Sequence, residues 1–467
     1  MTEVRLRNSE KIEAVLDDPT IYKIGTEMPT PQRILGGRTR VHPGWVYVFF
    51  RQMAVFFGSE RRAGDEIADP TIWDRVVAAG ERRFPTQPEM HAPETPMTRG
   101  QYRWGKQHHL TTDEFLEKVS AIQRDDAVEK AVEMGIMTGH EGSLTRPARE
   151  NVAYGDGKVV KARFKDPKGR RKVNKSTGEI TEPKIVDPDA AEHTTGAGDK
   201  VYGLNFVMYH GRNSNENERL ILGVAHAPKA GGEAKWAAQA ADDIIRRYPE
   251  MQALAYDGAF RGTHIRKIQT THGVPVAVPI QRRNGKPGDH DYEAVAEVCR
   301  PDGTKETVRL HLVEGHPHLK TVNNLGDLLL VPLVHEKTAR TQREDGTWRL
   351  YLTFSVPDQN GGGTIRVRLD QTAEDRARTD TAGKSKPFNR EEHLRAFTRL
   401  SPTWATVYHL RPEAESHHRK LDDSLIREWA PSVGQHGQTW DMVMWAVTQN
   451  ALAIAYRRKR KRLQDSG

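Results

Sequence analysis

The stretch from Asn151 to Ile280 alternates strand-like and helix-like patterns, and this order constrains the fold more than any other feature of the chain. Apolar or alternating segments predict strands, and the later strands are separated by segments with helical spacing. In order, the segments are NVAYGDGKVV, KVYGLNFVMYHG, RLILGVAHAP, the helical GGEAKWAAQAADDIIRRYP, ALAYDGAF, the helical RGTHIRKIQTTHG and VPVAVPI. This order predicts an α/β fold in which helices pack on a mixed sheet.

Two of these predicted strands end in the same way. VAYGDG places Asp156 before a glycine, and ALAYDG does the same with Asp257. Carboxylates at the ends of strands in one sheet can converge, and they are hard oxygen ligands suited to Mg²⁺ or Mn²⁺. Two such ions about 3.5–4 Å apart can activate the attacking oxygen and stabilise the leaving oxygen of a phosphodiester. Asp-Gly is also a common turn, and each segment alone is more simply a strand end.

The regions on either side of this core differ in character. Residues 1–145 contain segments with helical spacing and predict a helical N-terminal domain, which could bind DNA or act as scaffolding. Residues 286–375 contain hairpin patterns centred on Pro-Asp-Gly and Glu-Asp-Gly, then GGGT and a further strand, and predict an all-β insertion. The core is therefore expected to occupy 146–285 and to resume over 376–467, which ends in a helix and a basic tail.

Basic residues are concentrated in two places. Lysine and arginine number 71 against 63 acids, which gives a net charge of +8. They cluster in the loop from Lys158 to Lys184 and in YRRKRKR, from Tyr456 to Arg462. Clustered cations gain affinity for nucleic acid by releasing its counterions, so both clusters are candidates for gripping DNA. The alternative is a solvated loop and a solubilising tail.

Composition also excludes several classes of protein. The single cysteine, Cys299, rules out an internal disulfide and a zinc cluster built from thiolates. The sequence has no apolar run of about 18 residues and starts without the apolar segment of a signal peptide, so we expect a cytoplasmic protein with no membrane partner. It contains no Walker-type loop, G-x-S-x-G motif or dinucleotide fingerprint.

A late polar segment, VYHLRPEAESHHRKLDD, supplies a third acid. At about 100° per residue, four of its side chains fall on one narrow helix face; these are Tyr408, Arg411, Glu415 and Asp422. Proline belongs in the first helical turn, so Pro412 indicates that Tyr408 precedes the helix. The alternative is a solvated helix face with an ordinary ion pair between Glu415 and Arg419.

Together these motifs resemble those of a transposase family. Tyr408, Arg411 and Glu415 are similar in spacing to the Y-R-E-K signature of cut-and-paste insertion-sequence transposases in the DDE superfamily. VAYGDGK resembles the D-G-T segment of that group, ALAYDG resembles the strand of its second aspartate, and the β insertion is also a family feature. The resemblance implies an RNase H-like fold in which Asp156, Asp257 and Glu415 form the catalytic triad and bind two Mg²⁺ or Mn²⁺ ions.

Two positions depart from the family pattern. Lys158 stands where the family has threonine, and Asp422 stands where it has the lysine that faces the DNA phosphates. Arg419 or Lys420, nearby on the same predicted helix, would then supply the missing positive charge.

Other side chains are expected to contact DNA or to have ordinary structural positions. Tyr408 and Arg411 would hold the flanking phosphate through a hydroxyl and a planar guanidinium. Trp348 would either stack on an exposed base or pack on the sheet. The histidines His417 and His418 fit no metal-site pattern and are predicted to lie in a loop or to face phosphate. The remaining predicted DNA contacts belong to the basic loop: Lys158, Arg170 and Arg171.

The resemblance implies a DNA transposase that hydrolyses one strand at each transposon end and uses the freed 3′-hydroxyl to attack a second phosphodiester. Its partners would be the terminal inverted repeats, the target DNA and a second copy of the chain in a synaptic homodimer associated with the nucleoid. Two alternatives stay open: a structure-selective RNase H-like nuclease, and an inactive or domesticated transposase-derived protein that only binds DNA.

Overall fold

A computed structural model describes most of the chain. The described residues are 5–29, 40–164, 172–173, 176–178, 180–181, 187–194, 198–228, 231–280, 293–322, 326–379, 381–427 and 429–465. Helices and strands both occur throughout these residues, so the predicted mixed α/β class is confirmed. Part of the basic loop, including Arg170 and Arg171, lies outside the described residues.

The described elements follow the predicted order. The helices are α1 (Asn8–Leu16), α2 (Pro19–Thr26), α3 (Gly44–Phe57), α4 (Glu60–Ile67), α5 (Pro70–Arg83), α6 (Arg99–Gly105), α7 (Asp113–Met134), α8 (Glu233–Arg247), α9 (Gly262–His272), α10 (Ala373–Ala377), α11 (Arg390–His393), α12 (Pro402–Tyr408), α13 (Arg411–Leu421) and α14 (Gln435–Asp465). The strands are β1 (Val152–Lys161), β2 (Lys172–Val173), β3 (Ile180–Thr181), β4 (Ala191–Thr194), β5 (Lys200–Arg212), β6 (Arg219–Ala227), β7 (Ala253–Ala255), β8 (Val276–Ala277), β9 (Glu293–Cys299), β10 (Lys305–Val313), β11 (His316–Val322), β12 (Leu328–Pro332), β13 (Val334–Gln342), β14 (Trp348–Ser355) and β15 (Thr364–Arg368). The seven predicted elements are found in the predicted order as β1, β5, β6, α8, β7, α9 and β8, but the segment between the first two of them, which was predicted as a loop, also contains the short strands β2, β3 and β4.

The chain divides into two compact units. The first contains Met1–Met134, Gly157–Glu233 and Glu415–Gly467, and the second contains Gly135–Asp156 and Ala234–Ala414. Strand β1 therefore continues from the second unit into the first after Asp156, and helix α13 enters the first unit at Glu415.

Helix α3 lies at the centre of the first unit. Its segment GWVYVFFRQMAVFF carries bulky apolar side chains around its whole circumference, which is the pattern of a fully buried helix. The same hydrophobic core includes four side chains of α14: Trp440, Val443, Met444 and Val447. The N-terminal helices therefore fold around a helix from the opposite end of the chain.

A network of buried charges joins α3 to α14. Nη2 of Arg51 lies 3.1 Å from Oδ1 of Asp441, and their side chains are only 2% and 1% exposed. Nζ of Lys106 lies 2.9 Å from the same oxygen, and Oγ of Ser432 donates a hydrogen bond to Asp441. Burial opposes the charge of the Arg51 guanidinium, yet Asp441, Tyr102 and Glu60 raise its pKa. Asp441 thus lies close to both cations, and Glu60 is a second acid 3.9 Å from Lys106.

The sheet of the first unit is anchored by an amide from α14. Strand β5 pairs antiparallel with β4 and β6, and the part of β1 after Gly157 lies beside β5. The β5–β6 register shifts between Tyr209 and His210, next to Ile221 of β6. Asn450 binds the backbone of Ile221: its Oδ1 accepts from the N–H of Ile221 at 2.8 Å, and its Nδ2 donates to the Ile221 carbonyl oxygen at 3.0 Å.

The second unit contains a seven-stranded antiparallel sheet in the order β12-β11-β10-β9-β15-β14-β13. The two predicted hairpins are confirmed as β9–β10 and β13–β14. In each turn an aspartate oxygen, of Asp302 or Asp345, accepts from the N–H and hydroxyl of the threonine two residues later. The glycine between them, Gly303 or Gly346, has a positive φ of 85° or 79°, which a side chain would disfavour. Local turn chemistry therefore sets both hairpins.

Candidate functional site

Asp156 and Asp257 follow paired residues of two neighbouring strands of the second unit. Strands β1 and β7 run parallel, and their last pair is Tyr154 with Ala255. Asp156 lies inside β1, two positions after Tyr154, rather than at the end of the strand. Asp257 lies two positions after Ala255, in the segment that follows the end of β7. Because adjacent strands lie about 4.8 Å apart, this pairing brings the two aspartate backbones into the same region of the unit.

Each aspartate has a defined hydrogen-bond partner. Oδ1 of Asp156 accepts from Nη2 of Arg411 at 3.0 Å, and the Asp156 side chain is only 9% exposed. Burying a carboxylate costs free energy unless a cation or a hydrogen-bond donor compensates it, and Arg411 supplies both. Oδ1 of Asp257 accepts from the backbone N–H of Ala259 at 2.8 Å, so this Asp-Gly segment is indeed a turn. The same segment can therefore form a turn and place the Asp257 carboxylate at the site.

Tyr408 stands beside the same two carboxylates. Its ring stacks on Trp404, with ring centres 4.3 Å apart and an angle of 19° between the planes. Partial burial raises the pKa of the Tyr408 phenol; Arg411 opposes the change, and the negative charges of Asp257 and Asp156 add to it. The second unit therefore brings together Asp156, Asp257, Tyr408 and Arg411, four of the residues predicted to form the site.

Tyr408, Arg411, Glu415 and Asp422 do not share one helix face, so that prediction is wrong. Tyr408 is the last residue of α12, and α13 begins at Arg411. Pro412 lies in the first turn of α13, the only part of a helix where its missing N–H is harmless. Asp422 is the first residue of a π-helical stretch that follows α13, so only Arg411 and Glu415 of the four lie within α13 itself.

Glu415 is exposed on α13, four residues after Arg411. It belongs to the first unit, whereas Asp156 and Asp257 belong to the second, and its role as the third acid stays a prediction. Among the described residues, no group of three or more His, Cys, Asp or Glu side chains is arranged to hold a metal ion. Magnesium is commonly bound through one or two carboxylates together with waters and substrate phosphates, and the two aspartates fit that donor set.

Lys158 and Asp422, which depart from the family pattern, form an ion pair within the first unit. Nζ of Lys158 lies 2.7 Å from Oδ2 of Asp422. Because the lysine compensates the acid, Asp422 would repel a DNA phosphate less than an isolated carboxylate would. Arg419 and Lys420 are exposed on the last turn of α13. The pKa of Lys420 is lowered, mainly by desolvation of its ammonium group and further by the positive charge of Arg219.

Trp348 packs against its own neighbours in the second unit. It stands in β14, and the Arg340 guanidinium lies 4.7 Å from the centre of a Trp348 ring. A Cβ added at Gly273 would come within 2.8 Å of the indole, so the glycine makes room for the ring. These contacts favour the packing interpretation of Trp348 over base stacking.

The C-terminal basic cluster is a helix with acidic partners. It forms the end of α14, and its cations pair with acids of the first unit rather than extending as a tail. Arg457 and Arg460 both pair with Glu218, whose side chain is 1% exposed. The other two pairs are Arg458 with Glu133 and Lys459 with Glu10. Much of the charge that was expected to grip DNA therefore stabilises the first unit.

The sequence patterns did not single out Glu233. This residue begins α8, and its Oε2 accepts from Nδ2 of Asn205 at 2.8 Å. A Cβ added at Gly157 would lie 2.3 Å from the same oxygen, so the carboxylate rests against the backbone of β1. In the sequence, Gly157 is the feature that could have indicated the contact with Glu233, because a close approach of a side chain to the backbone favours glycine.

A pair of buried histidines lies in the first unit. Nδ1 of His210 in β5 and Nδ1 of His417 in α13 are 2.8 Å apart. The prediction of a loop or phosphate-facing position is wrong for His417, which is buried, and for its buried neighbour His418. Burial, followed by neighbouring charges and histidines, lowers the pKa of both His210 and His417 well below the ordinary value. The contact needs one ring to donate and the other to accept.

This pair is expected to make the protein acid-sensitive. Below the ordinary histidine pKa of about 6.5, unfolded His417 gains a proton while folded His417 stays neutral, so stability falls as the pH decreases. Each such histidine contributes about 1.4 kcal/mol per pH unit in that window. Urea unfolding of His417→Gln between pH 6.5 and 5.5 should show a shallower loss by about that amount. Exposed His409→Gln is the control, and parallel pH profiles for wild type and His417→Gln would contradict the expectation.

Comparison with known proteins adds no family to these observations. The chain matches no protein-family model and no curated protein. None of the helices in the described ranges combines the length and the apolar character needed to cross a membrane.

Proposed function

We propose that the protein is a DDE-type DNA transposase with an RNase H-like catalytic core. The observation that supports the proposal most directly is that Asp156 in β1 and Asp257 just after β7 follow paired residues of these parallel strands, and that both carboxylates lie near Tyr408. Two neighbouring acidic side chains suit a divalent cation, and phosphoryl transfer is the chemistry that such cations serve. The terminal inverted repeats, the target DNA and a second copy of the chain are the proposed partners.

In this proposal the two aspartates hold two Mg²⁺ or Mn²⁺ ions. When bound, the ions supply Lewis-acid activation of the attacking oxygen and stabilisation of the leaving oxygen. Asp156 and Asp257 contribute the carboxylate oxygens, and Glu415 is proposed as the third acid on the strength of the sequence pattern.

Tyr408 and Arg411 are proposed to position the phosphate. Arg411 already compensates the buried charge of Asp156 at 3.0 Å, so its guanidinium is positioned beside that carboxylate before any substrate binds. A planar guanidinium can donate two parallel hydrogen bonds to a phosphate, and the phenol of Tyr408 adds a further donor. Their proximity to both aspartates supports a role in orienting the scissile bond.

The test is cleavage by the purified full-length protein of a duplex carrying the inverted repeat that flanks its coding region. We expect single-strand nicks at the repeat end in Mg²⁺ or Mn²⁺ and none in EDTA. A duplex with the repeat scrambled is the control. Equal cleavage of the two duplexes would favour the structure-selective nuclease. Binding without cleavage in Mn²⁺ would favour the inactive DNA-binding derivative, and either result would reject the transposase.

A further inference from the structure

The outer face of strands β13, β14 and β15 carries a group of cations. Leu350, Leu352 and Phe354 of β14 are buried, so the alternate side chains of that strand point to the opposite face. The cross-strand partners continue this face onto β13 and β15. We call it the basic sheet face and define it by five side chains: Lys337, Arg349, Tyr351, Arg366 and Arg368.

These side chains fall in three rows across the sheet, and Arg349, paired with Thr341, lies in the third. Lys337 pairs with Thr353, and Thr353 pairs with Arg366, so two cations flank a hydroxyl in one row. Tyr351 pairs with Arg368 in the next row. Neighbouring strands are about 4.8 Å apart and rows on one face about 6.6 Å apart, so the face presents positive charge and hydroxyl donors on a regular grid.

The charge of this face is only partly compensated within the second unit. Asp370 pairs with Arg368 and lies 3.8 Å from Arg349. The exposed side chains of Lys337 and Arg366 form no ion pair with any described residue. Two cations of the basic sheet face are therefore available to an external anion.

Arg366 is held in place by an aromatic ring. Its guanidinium carbon lies 4.0 Å from the centre of the Tyr351 ring, a cation–π contact between neighbouring rows. The contact orients the guanidinium along the sheet without neutralising its charge. An arginine kept in one orientation loses less conformational entropy when it binds a phosphate.

We propose that the basic sheet face binds the sugar-phosphate backbone of duplex DNA without reading its bases. A sheet face with cations and hydroxyls offers donors to phosphate groups, whereas base reading needs an element that enters a groove. The proposal rests on the proposed function only for the identity of the polymer. It extends that function, because the residues predicted from sequence to contact DNA do not include any member of this face.

The test uses the full-length double variant Lys337→Gln/Arg366→Gln, with duplex binding measured in EDTA over a range of salt concentrations. Each lost phosphate contact is expected to reduce the slope of log affinity against log salt by about 1, so the double variant should lose about 2. The loss should be the same for repeat-containing and unrelated duplexes. Arg343→Gln, which removes one charge in the turn beyond the face, is the matched control and should leave the slope unchanged.

A conservative variant and a second polyanion distinguish the possible explanations of a changed slope. Arg366→Lys keeps the charge and should keep most of the wild-type slope, which separates charge loss from misfolding. An unchanged slope in the double variant would overturn the proposal, and so would an equal loss of affinity for poly-glutamate, which would indicate an acidic protein partner. Because binding is measured in EDTA, it does not depend on cleavage. A slope change in a protein that never cleaves DNA would therefore support DNA binding by the basic sheet face and reject the proposed transposase activity.

Discussion

Asp257→Asn is expected to abolish metal-dependent nicking, with a fall in rate of roughly a thousandfold or more. The amide cannot supply the negative charge that holds a divalent cation, and a metal contributes several kcal/mol to stabilising the transition state, about a factor of ten for each 1.4 kcal/mol. The protein itself should stay folded. Asn retains the Oδ1 that accepts from the Ala259 N–H at 2.8 Å, so the turn after β7 keeps its hydrogen bond.

The measurement is the initial nicking rate in Mg²⁺ and Mn²⁺, together with the urea unfolding curve of each variant. Asp243→Asn is the matched control, because this acid on α8 pairs with Arg247 and has no proposed part in the chemistry. Its nicking rate should equal that of the wild type. Nicking that survives Asp257→Asn would remove Asp257 from the site and the proposed function with it.

Asp441→Asn is expected to lower the free energy of unfolding by about 3–5 kcal/mol, the usual cost of leaving a buried charge without its partner. The substitution preserves the shape of the side chain, so lost charge compensation accounts for the effect. Arg51, at 3.1 Å, and Lys106, at 2.9 Å, would both lose their shared anion in the interior of the first unit.

Urea unfolding monitored by far-UV circular dichroism measures this effect. Asp65→Asn is the control, since Asp65 is exposed on α4 and a surface change of this kind shifts stability by no more than about 0.5 kcal/mol. The double variant Arg51→Met/Asp441→Asn should recover part of the loss, because it removes the stranded guanidinium. A loss below about 1 kcal/mol in Asp441→Asn would show that the buried charges of Arg51 and Lys106 do not depend on this carboxylate.

The order of elements was predictable because it depends on local patterns. Hydrophobic periodicity in the region from Asn151 to Ile280 predicted its strands and helices, and the structure confirms each of them. The hairpins at Pro-Asp-Gly and Glu-Asp-Gly were also predictable, since an aspartate oxygen and a positive-φ glycine determine such turns within a few residues. Pro412 located the start of α13 for the same local reason.

Other features depend on which distant residues meet. The repeated Asp-Gly motif suggested convergence, but whether Asp156 and Asp257 come close depends on how β1 pairs with β7. No local rule assigns Arg411 to Asp156, or Lys158 to Asp422, across more than 250 residues of sequence. The π-helical stretch after α13 similarly has no counterpart in the 100° periodicity that was used to predict a single helix face.

By itself, the sequence determined the α/β class, the succession of strands and helices and the positions of the turns, because periodicity and turn chemistry act over a few neighbouring residues. Only the tertiary structure decided which charges are available: it placed Arg457 and Arg460 on Glu218 and left Lys337 and Arg366 facing solvent. Ion pairing depends on distance in space, and burial depends on the whole surrounding fold. A cluster of basic residues in a sequence therefore does not reveal whether acidic side chains already compensate its charge.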